Sequence, residues 1–65
     1  MKIVLNGDAR EIAAANLNQA LHELGYTDGS FATAVNGTFI PKARRASHRL
    51  DDGDRIEVVA PMQGG

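Results

Sequence analysis

The sequence predicts a small α+β domain with one helix lying across one face of a mixed sheet of four to five strands. Three observations predict it. Two Asn-Gly dipeptides, Asn6-Gly7 and Asn36-Gly37, each sit between short runs rich in strand formers, and this dipeptide suits the positive φ angles of a tight hairpin turn. One apolar stripe recurs at helical spacing, formed by Leu17, Ala20, Leu21 and Leu24. The last regular segment, Arg55 to Ala60, alternates like a strand with one buried face.

Taken in order, Met1 to Leu5 alternates, with Met1, Ile3 and Leu5 on one face, and Ala9 to Ala13 reads as a shorter, more polar returning strand. Asn16 is placed to cap a helix, with Gln19 three residues on in the position that bonds back. Asn18, His22 and Glu23 face away from the stripe, and Gly25 ends the helix in a left-handed conformation after two to three turns. A helix so short needs a sheet to lie on. Tyr26 to Ser30 is loop. Phe31 to Val35 and Thr38 to Ile40 form the second hairpin, and Pro41 stops its pairing.

Lys42 to Arg49 has no clear period and reads as coil or a single helical turn, with Leu50 as an anchor into the core. Asp51 to Asp54 is a turn. In the final strand Ile56, Val58 and Ala60 share one face, and Arg55, Glu57 and Val59 the other. A short terminal strand rich in Ile and Val needs neighbours on both sides, so it belongs in the centre, parallel to the first strand. That topology is the β-grasp, or ubiquitin-like, arrangement. The body is residues 1–60, and residues 61–65 form a flexible C-terminal tail.

Sixty-five residues make one domain near the lower limit for independent folding. No cysteine is present, so neither a disulfide nor a thiolate metal site supports it, and the composition fits a reducing cytoplasm. No apolar run approaches a membrane span. The net charge of −1 makes neither nucleic acid nor an anionic membrane an obvious partner, and a monomer is expected when the chain is free.

The terminal pair Gly64-Gly65 carries the chemistry. A segment without Cβ atoms threads a tunnel too narrow for side chains, and the Gly65 carboxylate, ionised at neutral pH, can attack a nucleotide phosphate. Pro61 stops the last strand and aims the tail outward. The five residues from Pro61 to Gly65, with Met62, Gln63 and Gly64 as the passage, reach about 15–18 Å when extended. A frayed end without function is the plain alternative.

Other candidates carry less. Lys42, Arg44, Arg45 and Arg49 are four of the seven Lys/Arg residues; they read either as a solvated loop or as a docking patch for acidic partner residues. No aromatic residues are interleaved among them to stack bases. Val4 and Val59 point off the face opposite the helix, near Met62, and Phe39 joins them if its strand has that register. They are either scattered apolar residues or a partner surface beside the tail. Asp51-Asp52-Gly53-Asp54 lacks the spacing and closing Glu of a calcium loop. His22 and His48 are lone histidines without a ligand set, and Ser30 and Ser47 lack an identifiable base.

Val35-Asn36-Gly37, Pro41 after two apolar residues, Leu50-Asp51-Asp52-Gly53-Asp54-Arg55-Ile56 and Met62-Gln63-Gly64-Gly65 together resemble the sulfur carrier proteins of thiamine (thiazole) biosynthesis, the ThiS family. The likeness runs over essentially the whole chain. It implies that Gly65 is adenylated by an ATP-dependent adenylyltransferase and converted to a thiocarboxylate. The sulfur would come from cysteine through a desulfurase or similar donor and pass to thiazole synthase. The chain would then be a co-substrate rather than an enzyme, binding no cofactor of its own, with ATP used by the partner. Rival readings are the small subunit of molybdopterin synthase, a carrier for tRNA thiolation or cysteine synthesis, a ubiquitin-like modifier forming isopeptide bonds, and an interaction module whose tail is irrelevant.

Overall fold

A computed structural model describes residues 1–27 and 30–60. The expected tail, residues 61–65, lies outside them, as do Asp28 and Gly29. Five strands form one sheet: β1 (Lys2–Leu5), β2 (Asp8–Glu11), β3 (Ala32–Val35), β4 (Thr38–Ile40) and β5 (Arg55–Val59). Their order is β2-β1-β5-β3-β4. The last strand is central, parallel to β1 and antiparallel to β3. This is the β-grasp arrangement expected from the sequence.

Both hairpins close on Asn-Gly turns with positive φ at both central residues, 46° and 90° in the first and 51° and 84° in the second. This is the type I′ geometry that matches the twist of paired strands. Each Asn side chain then reaches across to β5. Asn36 Oδ1 accepts from the Arg55 N–H at 2.9 Å, and its Nδ2 donates to Asp54 at 3.0 Å. Asn6 Oδ1 accepts from the Val58 N–H at 2.9 Å, and its Nδ2 donates to the Val58 carbonyl at 3.2 Å.

Helix α1 (Leu17–Glu23) is two turns long. Asn16 caps it by accepting the Gln19 N–H at 2.8 Å, and Gly25 follows with φ of 98°. Leu17, Ala20 and Leu21 bury the predicted stripe against Ile3, Leu5, Val35, Ile56 and Val58 of the sheet, with Ile12, Ile40 and Leu50 completing the core. Leu50 is the anchor expected of it.

Four details differ from the sequence reading. Strand β2 ends at Glu11 rather than Ala13, because the Ala13 and Ala14 N–H groups turn to the Glu23 carboxylate at 2.9–3.0 Å. Glu23, exposed and off the apolar stripe as expected, ties the segment ahead of the helix to its last turn. Strand β3 starts at Ala32, one residue later than expected. Ala60 is exposed, since the last pair of the β3–β5 ladder is Ala32 with Val59. Lys42–Ser47 forms a six-residue 3₁₀ helix, longer than the single turn expected and than most such helices.

Candidate functional site

Three regions carry the predicted site residues: the end of β5, the outer face of the sheet and the 3₁₀ helix. At the first, β5 delivers the chain to residue 60 from the middle of the sheet. Its final residues are held on one side by β3, through Val58 with Thr33 and Val59 with Ala32. On the other side β1 pairs only with Arg55 and Ile56 before it turns away, and Asn6 supplies the contacts to Val58. The residues predicted to carry the chemistry, Met62, Gln63, Gly64 and Gly65, lie outside the described residues.

On the outer face, opposite α1, the register places Val4, Phe39 and Val59 together with Ala32 and Ala34. Phe39 is 63% exposed and Val59 65%, the two large apolar residues most open to solvent among those described. Phe39 lies opposite Ala34, and Ala34 opposite Glu57. Val4 is half-buried and sits beside Arg55. Four residues of β5 separate that level from Val59, about 13 Å along the strand. Val59, Ala32, Ala34 and Phe39 therefore make an apolar half-face near the end of β5. Val4 belongs to a separate shallow depression of about 330 Å³ bordered by Arg55, Glu57 and the two Asn-Gly turns.

The predicted docking charges divide as well. Arg45 is buried at 7% exposure. Its guanidinium stacks on the Phe31 ring at 4.5 Å and donates to the Phe31 carbonyl at 2.8 Å and the Thr33 hydroxyl at 3.1 Å. A flat guanidinium with its donors satisfied and an aromatic face beneath it can occupy a half-polar interior. Arg45 is thus a structural residue, and the docking set loses it. Lys42, Arg44 and Arg49 are exposed, and none forms a salt bridge among the described residues. Lys42 borders a groove with His22 and Tyr26, whereas Arg44 borders another with Phe39 and Pro41. The backbone beside Arg49 bridges to Asn16.

The remaining candidates are structural. The Asp51–Asp54 turn is a knot of backbone caps: Asp52 accepts from the Lys2 N–H at 2.7 Å and Asp54 from the Asp51 N–H at 2.8 Å. Ser47 donates to the Arg44 carbonyl at 3.1 Å. His22 lies in the last turn of α1, where a basic side chain suits the helix dipole. No cluster of three metal-ligating side chains occurs among the described residues, and no helix among them is long and apolar enough to cross a membrane.

With the fold and its exit strand in place, comparison with known proteins decides the family. The sequence model of the ThiS family matches residues 3–65. The chain belongs to the ThiS family. Among its relatives, the sulfur carrier protein ThiS of Escherichia coli (strain K12) is 30% identical over 66 residues, covering 100% of both chains. The sulfur carrier protein ThiS of Thermus thermophilus is 36% identical over 61 residues, covering 94% of this chain and 95% of that protein. A thiazole synthase of Paramagnetospirillum magneticum is 38% identical over 66 residues; all of this chain is covered, but it spans only 20% of that protein's length. The crystal structure of the thiamine biosynthesis protein ThiS from Geobacter metallireducens superimposes with a TM-score of 0.83 over 100% of both chains. At 23% identity that likeness speaks for the fold, and it confirms the β-grasp.

Proposed function

We propose that this chain is a sulfur carrier of thiamine biosynthesis, acting as a co-substrate whose terminal glycine is charged and discharged by other proteins. The observation that carries the reading is the family match, which runs through to Gly65, joined to two full-length relatives named as sulfur carriers. The architecture suits it: the segment that bears the carboxylate follows the central strand of a five-stranded sheet.

The chemistry follows from the carboxylate. As a free ion it is a poor acyl donor, because oxide would have to leave. A partner adenylyltransferase joins a Gly65 carboxylate oxygen to the α-phosphorus of ATP, and pyrophosphate departs. A sulfide equivalent derived from cysteine then attacks the carbonyl carbon, the bond to AMP breaks, and a thiocarboxylate remains. Its sulfur is a soft nucleophile ready for transfer. Gly64 and Gly65 bring no side chains into the partner's narrow site. In this reading the protein binds no cofactor of its own, ATP is used by the partner, and the two meet in the cytoplasm, to which the cysteine-free composition is suited. The relative in which this sequence is a fifth of a thiazole synthase favours a thiazole synthase as the protein that receives the sulfur.

The test is intact mass after incubation with ATP, a sulfide source and the adenylating enzyme of the same cell. Exchange of one oxygen for sulfur, confined to Gly65, is expected. Adenylation without sulfur uptake would turn the reading toward a protein modifier, and no change with a demonstrably active enzyme would overturn it.

A further inference from the structure

We infer that Asn6 is a positioning residue for the C-terminal segment: its side-chain amide replaces the strand that β1 fails to provide beside Val58, and so fixes where β5 ends. This rests on the carrier reading above. The starting observation is a gap in the sheet. Strand β1 pairs with β5 at two positions, Val4 with Arg55 and Leu5 with Ile56, and then leaves through the Asn6-Gly7 turn. The Asn6 N–H still donates to the Ile56 carbonyl at 2.9 Å. Two residues further along, the Val58 N–H and carbonyl face the side that β1 has vacated. Unpaired, they would leave the last turns of a central strand as a half-open edge.

The Asn6 amide meets both groups at once, accepting from the N–H at 2.9 Å and donating to the carbonyl at 3.2 Å. An Asn side chain carries the same donor and acceptor as a peptide unit, so the pairing copies one rung of a β ladder. Only a residue tolerating φ of 46° and bearing that amide can do this from the turn. The partners are 52 residues apart in sequence. Asn36 does the corresponding work at the opposite end of β5, on Asp54 and Arg55. The two turns clamp the same strand, one at its start and one at its end.

The end is where the difference matters. If Val58 loses its partner, residues 58–60 gain backbone freedom that a partner enzyme must remove when it draws in residues 61–65. Ordering costs of this kind fall on binding. They leave the chemical step of a bound complex alone.

The experiment compares Asn6→Gly with Asn36→Gly. Glycine keeps the positive φ of each turn and deletes the amide, so both variants fold and lose a comparable pair of hydrogen bonds. Two readouts are taken: amide hydrogen exchange at residues 56–60, and the steady-state kinetics of adenylation with this chain as the varied substrate. For Asn6→Gly we expect faster exchange at Val58 to Ala60 and a KM raised about tenfold at unchanged kcat, the size of roughly one residue's ordering cost. Asn6→Asp, which keeps the acceptor and loses the donor, falls between. Asn36→Gly leaves KM within about twofold, because its loss lies at the far end of the strand. Equal KM values for the two glycine variants would overturn the inference, as would unchanged exchange at Val58 in Asn6→Gly. A wild-type chain that is never adenylated counts against the carrier reading, and the exchange readout still decides the clamp.

Discussion

The two faces of the sheet are made by alternate residues of the same strands, and they treat apolar side chains in opposite ways. On the helix side Ile3, Leu5, Val35, Ile56 and Val58 are closed over by Leu17, Leu21 and Leu50, and the largest of them are inaccessible to solvent. On the outer side Val59 and Phe39 stay mostly exposed beside Ala32 and Ala34. The outer face is also graded. Lys2, Glu11 and Arg55 mark the end remote from the C-terminal segment, and the end next to Ala60 carries Val59 and Ala32. Among the described residues one α-helix lies on the sheet, and it covers one face. The chain spends its large branched residues where they hold the fold, and leaves small and apolar ones where the C-terminal segment departs.

The widest gap between the faces should appear on β5 itself. Ile56→Ala removes a fully buried side chain from the central strand and should cost about 2–5 kcal/mol. That is a large share of the roughly 5–15 kcal/mol that holds a domain together. The denaturation midpoint should fall sharply, or the chain should lose its dispersed NMR spectrum. A shift no larger than that of an exposed substitution would mean that the core is not centred on β5.

A smaller effect separates two adjacent arginines on the 3₁₀ helix. Arg45→Ala strips the cover from Phe31 and leaves the Phe31 carbonyl and Thr33 hydroxyl short of a donor. The expected loss is about 1–3 kcal/mol. Arg44→Ala, on the exposed side, should stay within about 0.5 kcal/mol. Chemical denaturation of the two variants decides the matter, and equal midpoints would return Arg45 to the surface set.

Arg45 also shows where the sequence stops being readable. Periodic apolar residues and turn chemistry are local signals, and they located both hairpins, the Asn16 cap, the Gly25 stop and the Leu50 anchor. A 3₁₀ helix with a period of three and a single inward residue leaves no stripe. When that residue is an arginine, hydropathy points the wrong way. The one available hint was the absence of any acidic residue between Phe31 and Leu50 to pair with four cations. Glu23 and Asn6 fail for another reason: their partners, Ala13 and Val58, are set by tertiary approach, and nothing beside them in sequence announces it. Of the candidate site, Gly64 and Gly65 are the chemistry that the sequence offers, and they lie outside the described residues. The split of Val4 from Val59 and Phe39 needed the register of four strands, β1, β5, β3 and β4.

The smallest stability effects belong to the outer face, and there the faces differ in function instead. Phe39→Ser, at an edge strand and 63% exposed, should change stability by no more than about 0.5 kcal/mol. Val59→Asp places a poor strand former at the margin of β5 and should cost at most about 1 kcal/mol. Both should nevertheless lower kcat/KM for adenylation if this half-face is where an enzyme grips the carrier, and Val59→Asp should do so more strongly, because a carboxylate there must be desolvated on docking. Val4→Ser serves as the internal comparison, since Val4 lies in the separate depression beside Arg55. A loss confined to Val59 and Phe39 would define the half-face next to the C-terminal segment as the partner surface. Equal losses at all three would extend it across the sheet. Unchanged kinetics at Val59 with a folded variant would show that exposed apolar residues here are only what a one-helix sheet leaves uncovered.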